Sequence, residues 1–108
     1  MKTYNKLVRD FIPAIIMGSG STPVWRHVNN QDELLGFISL KIEEELEELM
    51  TADSHLQRVE EAADFYEVFL KLLQTYGIDI SDVHDKAYSK RMSRGGFVSN
   101  IILESVES

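Results

Sequence analysis

The sequence lacks several features that define whole classes of protein. It contains no cysteine, which excludes disulfide bonds and thiolate metal sites and fits a reducing cytoplasm. No run of about 18 apolar residues occurs, and the first residues lack the apolar segment of a secretory signal. Basic residues are scarce, since 11 Lys and Arg face 18 Asp and Glu, for a formal net charge of −7. We therefore expect a cytoplasmic protein with no membrane segment and no nucleic-acid polymer as partner.

The length and the apolar content set the scale of the fold. The chain has 108 residues, of which 44% are hydrophobic, and this predicts a single domain over residues 1–108 with a modest core. Apolar residues recur at helical spacing through most of the chain, which indicates an all-α fold. The sequence predicts four helices, which run from Asp10 as cap to about Met17, from Asn30 or Gln31 to about Thr51, from Ser54 to Tyr76, and from Asp79 to about Met92.

Two short segments have a different pattern. Residues 24–28 alternate in polarity, and residues 97–103 follow a Gly-Gly pair and are rich in β-branched and aromatic side chains. Such segments are typical of strands. The sequence therefore predicts two short accessory β-strands, which would pair as a small ribbon beside the helices.

Acidic residues are concentrated on the two long predicted helices. Glu45 and Glu48 are three positions apart on the first, and Glu61 and Asp64 are three positions apart on the second. Side chains at this spacing are neighbours on a helix surface. If the two helices pack together, four carboxylates converge, and such an arrangement is costly unless a cation lies among them. Mg²⁺ prefers oxygen ligands of this kind, so the pattern predicts a metal site.

Glu45 is the most unusual of these residues. It projects from the same face as Leu34, Ile38 and Leu49, which are core positions at about 100° per residue. A carboxylate on an apolar face needs a partner. The opposite interpretation, an ordinary solvated helix surface, suits Glu43 and Glu47, which point away from that face.

Three motifs resemble a known superfamily. The acidic pattern consists of Glu44–Glu48, read as Glu-Glu-x-x-Glu, followed by Glu61–Asp64, read as Glu-x-x-Asp. It resembles the signature of the all-α nucleoside triphosphate pyrophosphohydrolases, which include MazG, the phosphoribosyl-ATP pyrophosphohydrolases and the dimeric dUTPases. The opening Tyr4–Pro13 and the closing Arg94–Phe97 with Ile101–Glu104 are similar to the ends of small MazG-like proteins.

The resemblance implies a helical bundle of the MazG-like type and a specific chemistry. Its members hydrolyse a nucleoside triphosphate between the α and β phosphates and release monophosphate and pyrophosphate. By this resemblance, Mg²⁺, or Mn²⁺ in its place, is the cofactor. Its ligands would be Glu45, Glu48, Glu61 and Asp64. Glu44 and Glu45 would be the catalytic residues, with Glu44 as a further ligand or as the base that orients water.

Basic residues complete the predicted site. Lys6, Arg9, Lys86, Lys90 and Arg94 would bind the phosphates of the nucleotide. Lys86, Lys90 and Arg94 are four positions apart and would form one ridge of a helix, which is either a phosphate-binding ridge or a solvated surface. For Lys6 and Arg9 the alternative is a tether that holds the N-terminal segment to the acidic helices.

Three alternatives concern the assembly and the activity. The broad apolar face of the second long helix, with the resemblance, favours a homodimer or homotetramer. The enzyme would act on nucleoside triphosphates or, as an alternative, on phosphoribosyl-ATP. A non-catalytic helical module, whose acidic face recruits a basic partner, is the alternative from another class.

Overall fold

The computed structural model describes residues 2–107, and within this range it contains helices and no strand. The helices are α1 (Ile12–Gly18), α2 (Gln31–Thr51), α3 (His55–Tyr76) and α4 (Ile80–Arg94). The all-α prediction is confirmed. None of the helices among these residues is both long and apolar enough to cross a membrane.

The two predicted strands are wrong. Residues 24–28 and 97–103 have irregular backbone, and most of their apolar side chains are exposed, with Val24 98% exposed and Ile101 82% exposed. A strand needs a hydrogen-bonded neighbour and a face to bury. The alternating pattern provides neither a neighbouring strand nor a surface to pack against, so both segments are irregular loops.

The chain divides into two compact units, Met1–Gly77 and Ile78–Ser108. The prediction of one domain over residues 1–108 stays a prediction. The first unit is built on α2 and α3, which follow one another through a short connection and pack closely together. Local sequence sets the start of each helix, because the Asn30 side chain accepts from the Glu33 N–H and the Ser54 side chain accepts from the Gln57 N–H.

Helix ends follow known signals, with one exception. Gly77 ends α3 in the left-handed conformation, at φ 70° and ψ 27°, which glycine adopts without steric cost. In the second unit, Asp79 caps α4 by accepting from the Ser81 N–H. The exception is α1, because Phe11 rather than Asp10 is the cap residue and no side chain caps the helix. Pro13 lies in its first turn, as the sequence indicates.

The core between α2 and α3 is small. Ile38 and Leu73 are its buried apolar residues, and Glu45 is buried with them. Large apolar side chains on the remaining surface of α3, among them Leu56, Val59 and Tyr66, are about half exposed or more. The buried part of the hairpin therefore combines a narrow apolar layer with one carboxylate.

Candidate metal centre

The structure brings the predicted acidic residues of α2 and α3 together. Each long helix places its acidic residues one turn apart on the face that meets the other helix. Carboxylate oxygens lie within 4.8 Å of one another in two groups. The first group is Glu44, Glu45 and Glu48, and the second is Glu45, Glu61 and Asp64. Glu45 belongs to both groups, so it is the residue that links them.

Glu45 is the most buried of these residues, at 5% exposure. Its Oε1 lies 3.2 Å from Nζ of Lys41, which is one turn earlier on α2. Its Oε2 has no hydrogen-bond partner among the residues that the structure describes. A buried carboxylate oxygen without a partner is costly, so this atom requires an additional cation or donor.

Glu61 presents a second atom of the same kind. Its Oε2 is also shielded from solvent and has no partner within residues 2–107. Two unpartnered carboxylate oxygens, on facing helices and within one cluster, fit a hard divalent cation, which prefers oxygen ligands. The grouped side chains offer carboxylate oxygens, with no imidazole or thiolate among them.

The electrostatics of the cluster follow from this crowding. Burial raises the pKa of Glu45, and repulsion from Glu48 adds to the shift, while the hydrogen bond from Lys41 opposes it. Loss of solvent around its carboxyl group raises the pKa of Glu48, with hydrogen bonding to Glu61 as the next cause. Both raised pKa values mean that, without a bound metal ion, the ionised form of these two carboxyl groups is disfavoured.

Two of the predicted phosphate-binding residues contact the cluster. Nζ of Lys6 lies 3.3 Å from Oε1 of Glu44, and Nη2 of Arg9 lies 2.7 Å from Oδ1 of Asp64. The N-terminal segment is thus held against the acidic helices by two ion pairs. This geometry agrees with the tether alternative, and it also leaves both cations at the edge of the cluster.

The remaining predicted cations belong to the second unit. Lys86, Lys90 and Arg94 lie on α4 at successive turns, as their spacing indicates. Lys86 and Lys90 line a shallow hollow together with Ile78, Asp82, Val83 and Ala87. Their assignment to phosphate stays a prediction.

Sequence reasoning missed Lys41. This lysine contacts Glu45 and also lies 3.5 Å from Oε1 of Glu44, with only 16% of its side chain exposed. Its spacing of three and four residues from Glu44 and Glu45 was the available signal, because residues at these spacings face each other on a helix.

A helical hairpin that encloses clustered carboxylates defines an all-helical protein with a candidate site for a divalent cation. Comparison with known families makes this class specific, because the family model for phosphoribosyl-ATP pyrophosphohydrolase matches residues 8–91. The chain belongs to this family, within the MazG-like all-α nucleoside triphosphate pyrophosphohydrolases, and is therefore a hydrolase that acts on acid anhydrides. The search of curated proteins and the search of solved structures returned no match.

Proposed function

We propose that the chain is a Mg²⁺-dependent nucleotide pyrophosphohydrolase that cleaves nucleoside triphosphates between the α and β phosphates. One observation carries the proposal. The buried Oε2 atoms of Glu45 and Glu61 lack partners inside a carboxylate cluster, in a chain whose family hydrolyses a pyrophosphate bond. A divalent cation would satisfy these oxygens and would also bring an anionic substrate to an acidic protein.

Four carboxylates would hold the cation, and they are Glu45, Glu48, Glu61 and Asp64. When bound, Mg²⁺ supplies positive charge that neutralises phosphate oxygens and acidifies water. The chain has no cysteine, and hydrolysis of this kind needs no side-chain nucleophile. The ligand assignment is supported by the 4.8 Å groupings, in which Glu48, Glu61 and Asp64 each share a group with Glu45.

Glu44 is suited to act on water rather than on the ion alone. It is partly exposed, it lies beside the buried Glu45, and it accepts from Lys6. A carboxylate in this position can accept the proton that the attacking water loses, as a general base. Glu45 would support this step by holding the cation, which is the reason for its catalytic assignment.

Lys6 and Arg9 would bind the triphosphate at the edge of the cluster. In the absence of substrate, their charges are neutralised by Glu44 and Asp64. A divalent cation on Asp64 would compete with Arg9 for the same oxygens and would leave the guanidinium available for phosphate. For Lys86, Lys90 and Arg94, the proposal rests on their charge and on their regular spacing along α4.

Phosphoribosyl-ATP is the second candidate substrate, and the name of the matched family favours it. It contains the same α–β phosphoanhydride bond, so the metal ligands and the base would keep their roles. The two candidate substrates differ in the part of the molecule outside the triphosphate chain. A cytoplasmic location, inferred from the absence of cysteine, stays a prediction.

A homo-oligomer is part of the proposal. Leu56, Val59 and Tyr66, at 68%, 53% and 49% exposure, are apolar side chains of α3 that the first unit does not bury within residues 2–77. Exposed apolar side chains along one helix favour association with another protein surface, and a second copy would present the same apolar residues. A homodimer is the smallest assembly that would cover it.

A substrate panel tests the activity. The purified chain is incubated with Mg²⁺ and each nucleoside triphosphate, or with phosphoribosyl-ATP, and the products are separated by chromatography. We expect monophosphate and pyrophosphate in equal amounts, with loss of activity in Glu45→Gln and near-normal activity in the matched control Glu47→Gln. Equal activity in the two variants would refute the site. A thermal midpoint that ignores both Mg²⁺ and Mn²⁺ would favour the helical interaction module instead.

A further inference from the structure

Lys41 occupies a distinctive place in the acidic cluster. It lies on α2, as do Glu44 and Glu45, and its ammonium contacts Oε1 of both. Its side chain is 16% exposed, whereas those of Lys6 and Arg9 are 40% and 58% exposed. Lys41 is therefore the most enclosed cation of the cluster, and it lies one helix turn before the carboxylates it contacts.

The two oxygens of Glu45 are treated differently. Oε1 accepts from Lys41, while Oε2 is buried without a partner among residues 2–107. The lysine thus neutralises the buried carboxylate without covering both oxygens. An arrangement of this kind lets the folded chain tolerate the cluster when no divalent ion is bound, and it leaves one oxygen available.

We propose that Lys41 is the resident counter-ion of this centre, which stabilises the cluster in the absence of a divalent cation and weakens the binding of that cation. The inference rests on the proposed function, because it assumes that the carboxylates are metal ligands. The ammonium and the divalent ion share Glu44 and Glu45 as partners. Their like charges repel at short distance, so each lowers the affinity of the cluster for the other.

Lys41 would also limit how tightly the cluster holds a divalent cation. Five carboxylates close together would hold a divalent cation tightly if no basic residue were among them. The Lys41 side chain is largely enclosed beside Glu44 and Glu45, so its ammonium would remain close to the cation and lower the affinity of the cluster for it. Exposed cations such as Lys6 can swing away and have a smaller effect.

Two substitutions at Lys41 and one control test the proposal. Lys41→Met removes the charge and keeps an apolar stem, Lys41→Arg keeps the charge, and Lys71→Met makes the same change on the exposed part of α3. Thermal midpoints are measured in EDTA, and Mn²⁺ dissociation constants are measured by electron paramagnetic resonance at one mildly alkaline pH. Neither measurement depends on turnover.

We expect Lys41→Met to melt lower in EDTA by about 5 °C or more, since Glu45 loses its partner. The same variant should bind Mn²⁺ at least about fivefold more tightly than the unsubstituted chain. Lys41→Arg and Lys71→Met should resemble the unsubstituted chain in both respects. In the hydrolysis assay, Lys41→Met should reach half-maximal rate at a lower Mg²⁺ concentration.

Two results would overturn the inference. One is Mn²⁺ affinity in Lys41→Met that is equal to or weaker than that of the unsubstituted chain. The other is a thermal midpoint of Lys41→Met in EDTA that equals that of Lys71→Met. Failure of the proposed function would give a different result. The unsubstituted chain and Asp64→Asn would then bind Mn²⁺ equally weakly or not at all, whatever the thermal midpoint of Lys41→Met.

Discussion

Arg9 and Asp64, which are 55 residues apart in the sequence, form an ion pair in which Nη2 donates to Oδ1 at 2.7 Å. The pair joins the irregular N-terminal segment to α3 at the edge of the acidic cluster. Its side chains are 58% and 40% exposed. Solvent screens a pair of this kind, so it contributes less than about 1 kcal/mol to the free energy of unfolding.

This weak pair makes Arg9 a sharp test of substrate binding. In Arg9→Met, we expect the thermal midpoint to change little, because little stability depends on the pair. The KM for the nucleotide should rise about tenfold or more, since a charge-assisted hydrogen bond to phosphate is lost. Steady-state kinetics measure this, with Arg58→Met on the exposed part of α3 as the control. A large fall in the midpoint with an unchanged KM would identify Arg9 as a tether alone.

Glu61 and Glu60 are neighbours with different surroundings. The Oε2 atom of Glu61 is buried in the cluster, whereas Glu60 is exposed. We expect Glu61→Gln to weaken Mn²⁺ binding by at least about tenfold, because a ligand charge is lost. Glu60→Gln should bind as the unsubstituted chain does. Titration calorimetry provides the measurement, and equal affinities in the two variants would remove Glu61 from the ligand set.

The raised pKa values predict how stability depends on pH in EDTA. The pKa values of Glu45 and Glu48 lie above 4.5 in the folded chain, so the folded state holds these protons more tightly than the unfolded state. The stabilisation from this source is complete below about pH 4.5 and is lost as the pH rises through the raised values. Glu45→Gln mimics the protonated form of one of these groups.

The thermal midpoint of Glu45→Gln should therefore increase relative to that of the unsubstituted chain as the pH rises from about 4.5 toward neutrality. Calorimetric scans in EDTA across this interval measure the difference. Glu47→Gln, on the exposed face of α2, serves as the control for the same change of side chain outside the cluster. A constant difference for Glu45→Gln would contradict the raised pKa.

Val59 tests the assembly. It is 53% exposed on α3, between Leu56 and Tyr66. We expect the unsubstituted chain to sediment as a homodimer or a larger homo-oligomer. Val59→Lys should shift it toward the monomer, because a charge would be buried in the interface. Glu60→Lys introduces the same lysine one residue further on and should retain the assembly. Sedimentation of the unsubstituted chain as a monomer would contradict the proposal directly.

The sequence predicted the helices well because their ends depend on local chemistry. Asn30, Ser54, Asp79 and Gly77 cap the three longer helices, and each has a side chain or backbone preference that acts within a few residues. The strands at residues 24–28 and 97–103 failed because pairing is a tertiary property. A local pattern cannot specify whether a neighbouring strand exists.

The candidate site shows the same division. The position of Glu45 on an apolar face predicted its burial, because both depend on helical periodicity. Lys6 pairs with Glu44 and Arg9 pairs with Asp64, and each pair joins residues far apart in the sequence. The sequence could not predict these partners, because they depend on the path that residues 2–11 take in the folded chain.

The sharing of Glu45 between the two carboxylate groups has a consequence for stoichiometry. Its Oε1 forms an ion pair with Lys41, whereas its buried Oε2 has no partner among the described residues, so a first ion would bind to Oε2. A second ion that used the same residue would have to evict the ammonium. Occupancy would then proceed in sequence, with a tighter first step and a much weaker second one.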